Sequence, residues 1–125
     1  LDLRHPSQAE LIRLGDLVHA RAQGLARLCE VSVADSSWHA PVVFTPEVRE
    51  IFARAADRRG YARREIYSGG GHDARWFPGR CPTGMVFIPC EKGVSHHPAE
   101  NVDPAHAAAG AQVIADAMLE LAGAG

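Results

Sequence analysis

The sequence predicts an α/β fold in which helices cover a mostly parallel sheet. Runs with helical periodicity alternate with short runs rich in β-branched and aromatic residues, joined by short links. The helical runs open on clear caps at Ser7, Thr45-Pro46 and Asp103-Pro104. Two polar, histidine-bearing loops, Ser68-Gly69-Gly70-Gly71-His72-Asp73-Ala74 and Gly93-Val94-Ser95-His96-His97-Pro98-Ala99-Glu100, each follow a run that reads as a strand. In open α/β sheets ligands collect outside the carboxyl ends of strands, where loops crowd side chains and backbone amides around one point.

Taken in order, residues 1–4 alternate as the tail of a strand, stopped by His5-Pro6. The chain starts there without an initiator Met and reads as cut from something longer. Ser7 and Glu10 predict a capping box. The helix it opens should run through Cys29, with Leu11, Leu14, Val18, Leu25 and Leu28 facing a sheet and Gly15 and Gly24 weakening it. A short strand at 31–33 and a linker at 36–41 complete a β-α-β piece over residues 1–40, too small to bury its own faces. The next helix starts at Thr45-Pro46, packs on Val48, Ile51, Phe52 and Ala55, and ends at Arg58-Arg59-Gly60. A strand at 65–67 leads into the glycine loop. An irregular turn through Arg75-Trp76-Phe77-Pro78 and a strand at 85–88, stopped by Pro89, follow. The last helix should bury Val113, Ile114, Ala117, Met118 and Leu121, leaving a frayed tail at 123–125.

Composition narrows the function. The 125 residues are 46% hydrophobic and 22% charged, enough for one modest core. A net charge of -2 and a pI near 6.4 argue against a nucleic-acid surface or a polybasic membrane contact. No apolar run approaches the ~20 residues of a membrane span, and no signal peptide is visible. Three cysteines, an odd count at no metal-finger spacing, fit reduced thiols in a cytoplasm. Arg58-Arg59 and Arg63-Arg64 read as a solvated face, with phosphate binding as the rival. Cys81 and Cys90 read as buried inert thiols, with a nucleophile paired to His72 or His96 as the rival. His5, His19, His39 and His106 read as structural or solvent histidines, and Trp76 and Phe77 as a roof over the site or as core.

His72, His96 and His97 differ, because they sit in turns beside small residues. Three glycines before His72 allow positive φ and let backbone amides approach an anion. His72-Asp73 suits an imidazole held in one tautomer to polarise an oxyanion. Imidazole is also a common metal ligand, and Glu100 can orient such a ring by a hydrogen bond. Spacing alone leaves metal binding open, since one or two ligands make no closed site.

These motifs, with Leu1-Asp2-Leu3-Arg4-His5-Pro6 and Cys81-Pro82-Thr83-Gly84-Met85-Val86-Phe87-Ile88-Pro89, resemble the zinc-dependent amidohydrolases of the hydantoinase/carbamoylase group. That group includes N-carbamoyl-L-amino-acid hydrolase, β-ureidopropionase and allantoate amidohydrolase, within the dinuclear aminoacylase/carboxypeptidase-like superfamily. The likeness runs the whole length in motif order. It implies that residues 1–40 end a lid and dimerisation domain and that residues 41–125 are the C-terminal part of a dinuclear, aminopeptidase-like catalytic domain. It also implies that His96 is a metal ligand, His72 a catalytic and substrate-binding histidine, the Gly71 amide a donor to the substrate carboxylate, and Arg4 the lid arginine that grips it. His97 falls on a variable position of the motif, and Gly70 replaces the more usual Ala.

The implied function is metal-dependent hydrolysis of a linear ureido or amide C–N bond in a cytoplasmic homodimer acting on a small ureido acid. Two divalent metals are implied, zinc first, with manganese or cobalt as alternatives. Their remaining ligands and the general base would lie outside this segment, in the rest of the same polypeptide, so the segment alone should be inactive. The rivals are an aminoacylase or peptidase of the same superfamily and a non-catalytic assembly or dimerisation fragment.

Overall fold

The computed structural model describes residues 1–25, 27 and 29–123. Its helices are α1 (Gln8–Leu25), α2 (Pro46–Arg58) and α3 (Pro104–Leu121), with short 3-10 turns at Asp73–Trp76 and Glu91–Gly93. The chain divides into two units, Leu1–Val43 with Tyr67–Gly71, and Phe44–Ile66 with His72–Gly125.

The strands expected at 1–4, 31–33, 65–67 and 85–88 do not form among the described residues, so the expected α/β sheet is replaced by a helix-rich chain. A strand is a pairwise object: local sequence writes its side-chain pattern, but its N–H and C=O groups need a neighbour's ladder. The non-helical segments here meet through isolated backbone bonds. Thr45 N–H donates to Thr83 C=O at 2.9 Å, and Glu91 N–H donates to Asn101 C=O at 2.7 Å. The β-α-β piece over 1–40 accordingly reduces to one helix flanked by irregular chain.

In the first unit α1 starts where Ser7 predicts. The Ser7 hydroxyl accepts from Glu10 N–H at 3.4 Å, and the Ser7 carbonyl accepts from Leu11 N–H at 3.0 Å. The other half of the capping box is absent. The Ser7 N–H donates instead to His5 Nδ1 at 3.0 Å, and the Glu10 carboxylate takes Arg13 Nε at 2.8 Å. The expected face is correctly oriented but only half-buried at Leu11, Leu14 and Val18, while Leu25 is exposed. The helix stops at Leu25 rather than Cys29. Leu28 and residues 124 and 125 of the expected tail lie outside the described residues.

The second unit rests on α2 packed against α3. Pro46 occupies the first turn of α2, where its missing N–H costs nothing. Thr45 makes no side-chain bond to the helix; its Oγ1 accepts from Thr83 N–H at 2.9 Å, so the cap residue ties α2 to the segment before Gly84. At the other end Gly60, at φ 69, closes a Schellman motif. Its N–H donates to Asp57 C=O and the Tyr61 N–H to Ala56 C=O, both at 3.0 Å. Val48, Ile51, Ala55 and Ala56 are buried on α2, and Gly110, Val113 and Ala117 on α3. Asp103 caps α3 as expected, accepting from Ala105 N–H at 2.8 Å.

The expected α3 face is too wide. Ile114, Met118 and Leu121 are exposed, because α2 covers the side of α3 that carries Gly110, Val113 and Ala117. Small residues dominate the contact, and two glycines let segment 84–88 approach the helix pair closely. A Cβ at Gly84 would lie 2.7 Å from Val48 Cγ1 and 2.8 Å from Phe52 Cε2, and one at Gly110 would lie 2.5 Å from Ile88 Cγ2. Val86 and Phe52 pack on the cluster of Ala55, Ala56 and Val113. Segment 84–88 therefore touches both helices.

An ionic clamp lines the helix pair. Arg59 binds Asp116 through Nε at 2.5 Å and Nη2 at 2.9 Å, while Arg54 and Arg58 share Glu120. Arg63 grips Asp57 with the same two-pronged geometry, at 2.8 and 2.7 Å. The hydrogen bonds from Arg59, helped by Gln112 and opposed by desolvation, lower the Asp116 carboxyl from 3.8 to about 2. A carboxyl whose pKa falls on folding stabilises the protein above its unfolded value, and that contribution is lost as pH drops through the folded value. We expect stability, followed by urea unfolding, to fall between about pH 4 and about pH 2, and Asp116→Asn to flatten that fall. An equally steep loss in the variant would remove Asp116 from the account.

Candidate functional site

The candidate residues fall in both units, and the chain passes from one to the other between Gly71 and His72. In the first unit the structure brings Arg4 to the glycine loop. Its Nη1 donates to the Gly69 carbonyl, across a separation of 65 residues in sequence. Its Nε lies 3.0 Å from both Asp2 carboxylate oxygens, and its Nη2 lies 2.5 Å from Asp2 Oδ2. The Asp2 hydrogen bond is the main reason the Arg4 pKa rises and the Asp2 pKa falls, so both stay charged.

The loop itself is ordered by Ser68, whose hydroxyl accepts from Gly70 N–H at 3.2 Å. Among the described residues the glycines with positive φ are Gly60, Gly79, Gly93 and Gly123, so the positive φ that three glycines allow is not used at 69–71. At Gly69 a methyl would lie 3.4 Å from Arg4 Cδ, in ordinary contact, so the arginine lies directly against the loop. Gly71 is exposed.

In the second unit His72 is half-buried and extended, at φ -117 and ψ 146, directly before the 3-10 turn that Asp73 opens. Its carbonyl accepts from Arg75 N–H at 3.0 Å. Its ring meets Phe87 edge-on, with centroids 5.3 Å apart, which places the imidazole beside segment 85–88. The turn continues through Phe77-Pro78-Gly79-Arg80, with Gly79 at φ 88 and Arg80 N–H on the Phe77 carbonyl at 2.8 Å. Trp76 and Phe77 fill no core: both are exposed, and Arg75 stacks 4.8 Å over the Trp76 ring.

The second histidine loop is built by Glu100. His96 adopts φ 57, a left-handed conformation uncommon outside glycine. Its N–H donates to Glu100 Oε2 at 2.8 Å, and the Glu100 N–H donates to the His97 carbonyl at 2.8 Å. The sequence suggested that Glu100 orients an imidazole; it holds the His96 backbone instead. His97 uses Nδ1 to accept from Ala99 N–H at 3.1 Å, a role inside the turn. Both imidazoles are exposed.

Among the described residues no three His, Cys, Asp or Glu side chains converge to hold a metal ion. His96 offers one donor, far short of the usual set. Cys29, Cys81 and Cys90 are free thiols, and Cys81 is exposed rather than buried. His5 and His19 are engaged structurally, His5 with Ser7 and His19 with Asp35 at 3.3 Å. Sequence reading missed Asp2, whose signal was an opposite charge two residues from Arg4 in a non-helical stretch. It also missed the Thr45–Thr83 tie, which no local pattern announces. Among the described residues no helix is long and apolar enough to cross a membrane.

Residues 6–120 match peptidase family M20/M25/M40, and the chain belongs to that family. It is 37% identical to an N-carbamoyl-L-amino-acid amidohydrolase of Rhizobium meliloti and 29% identical to an allantoate amidohydrolase of Escherichia coli; each alignment covers 98% of this chain and 30% of the relative. The solved structure of a hydantoinase/carbamoylase family amidase from Burkholderia vietnamiensis superposes with a TM-score of 0.82 at 36% identity, covering 94% of this chain and 29% of that one. A second from Burkholderia ambifaria gives 0.77 at 34%, covering 94% and 28%. The chain thus spans about a third of the length of these relatives.

The Glu100 bond predicts a measurable effect. In the full-length protein, Glu100→Ala should raise hydrogen exchange at the His96 amide by about tenfold, the lower end for a bond to a charged acceptor. Unchanged protection would mean that the left-handed turn holds without the carboxylate.

Proposed function

We propose that this chain is part of a metal-dependent amidohydrolase that cleaves a linear ureido C–N bond, acting on N-carbamoyl amino acids or related ureido acids. The observation that carries this reading is Arg4 laid on the Ser68–Gly71 loop, in a chain whose length aligns with an N-carbamoyl-L-amino-acid amidohydrolase. In this reading residues 1–40 end a lid and dimerisation domain, and residues 41–125 are the C-terminal part of the catalytic domain. The enzyme works in the cytoplasm as a homodimer. The aminoacylase or peptidase alternative draws less support, because the relatives named above are ureido amidohydrolases.

Each residue type suits its proposed task. A guanidinium fork matches a carboxylate in two parallel hydrogen bonds, so Arg4 grips the end of the substrate that does not react, with the Gly71 amide as a further donor. His72 donates to the oxygen that gains charge as the carbonyl is attacked, and its contact with Phe87 limits the motion of the ring. The metals, two divalent ions with zinc first, supply Lewis acidity and water activation. His96 is the ligand this chain contributes, and the other ligands and the general base belong to the rest of the polypeptide. The described residues do not form a metal site by themselves.

Two measurements on the full-length protein test the reading. Arg4→Lys keeps the charge but loses the fork and should raise KM strongly, whereas His72→Ala should lower kcat and kcat/KM together by about 10²–10³. Replacing the substrate carboxylate with a carboxamide should erase most of the Arg4→Lys effect and leave the His72→Ala defect. Normal turnover of the carboxamide by the wild type would remove the carboxylate grip. Separately, His96→Ala should lower metal content and nearly abolish turnover, while His97→Ala stays mild; equal loss from both would reassign the ligand.

A further inference from the structure

Asp2 and Arg4 stand two residues apart in a non-helical segment, and their side chains fall on one side of it. The guanidinium carries one N–H on Nε and two on each terminal nitrogen, arranged in a plane with distinct edges. Asp2 occupies the edge formed by Nε and Nη2. Gly69 occupies the opposite flank: its carbonyl accepts from Nη1, and its Cα faces Arg4 Cδ closely enough that a methyl would lie 3.4 Å from it. With those two neighbours in place, Nη1 and Nη2 each retain one N–H, and the pair defines the remaining edge. A carboxylate received in two parallel hydrogen bonds can enter only there.

We propose that Asp2 is a positioning residue, which acts through Arg4 by occupying one edge of its guanidinium, so that the Nη1–Nη2 edge alone is presented to the substrate carboxylate. This rests on the reading of Arg4 as the carboxylate-binding residue. The physical gain is preorganisation. A long, half-exposed arginine samples many rotamers, and a partner that already fixes it reduces the entropy lost when the ligand arrives. The arrangement also carries an opposing effect, since an ionised Asp2 beside Arg4 weakens its pull on a second anion. The sign of the substitution effect therefore separates the two roles. If positioning dominates, removing Asp2 weakens substrate binding; if Asp2 only neutralises Arg4, removing it strengthens binding.

The test uses the full-length enzyme with an N-carbamoyl amino acid and its carboxamide. Asp2→Ala should raise KM for the acid by about tenfold with kcat within about twofold, as expected for an interaction made equally in ground and transition states. It should leave the carboxamide unaffected, which a general structural defect would not do. Asp2→Asn, which keeps one acceptor oxygen, should recover part of the loss. An unchanged or lower KM for the acid in Asp2→Ala, with Arg4→Ala still separating acid from carboxamide, overturns the positioning role and leaves the carboxylate grip standing. If Arg4→Ala fails to separate acid from carboxamide, the grip itself falls, and the role of Asp2 falls with it.

Discussion

Close approach at glycine is the constraint on which the second unit depends. Its buried side chains are modest, Val48, Ile51, Val113 and three alanines, and none of the larger ones is completely covered. Dispersion between such groups is useful only at short range. Gly84 lets segment 84–88 reach Val48 and Phe52, and Gly110 lets α3 reach Ile88. The Thr45–Thr83 pair, bonded in both directions, fixes where that segment meets α2. His72 is braced on the same segment through Phe87, so its imidazole inherits its position from this packing.

The ionic contacts add registration rather than a core. Arg54, Arg58 and Arg59 stand near the end of α2 and reach Asp116 and Glu120 near the end of α3. Exposed ion pairs contribute little individually, and salt screens them. Several in one row still specify how the two helices align. The basic pair Arg58-Arg59, read from sequence as a solvated face with phosphate binding as the rival, is committed to these partners.

Local chemistry was well written in the sequence. The caps at Ser7 and Asp103, the stop at Gly60 and the buried residues of α2 follow from rules that act within one turn of helix. Pairing was not legible. The runs at 65–67 and 85–88 carry strand-like composition, yet a ladder needs a neighbour that no local pattern supplies. The width of the α3 face was overread because Ile114, Met118 and Leu121 are apolar, and periodicity cannot say how many sides of a helix are covered. At the site the two histidine-bearing loops were legible in their glycine and histidine patterning, while the Arg4–Gly69 bond, Asp2 and the backbone role of Glu100 required coordinates. The last two act by short polar contacts across a turn, which hydrophobic patterning does not record.

The unpaired backbone of segment 85–88 has a practical consequence. Its Phe87 and Ile88 are exposed, and among the described residues it joins no ladder. A β-prone stretch with unclaimed backbone groups is a template for any other extended peptide, including an identical one. Handled as an isolated polypeptide, this chain should therefore be limited by self-association before it is limited by unfolding. Low concentration or a lysine on the exposed side of that stretch would extend its working life in solution more than any repair of the helical core.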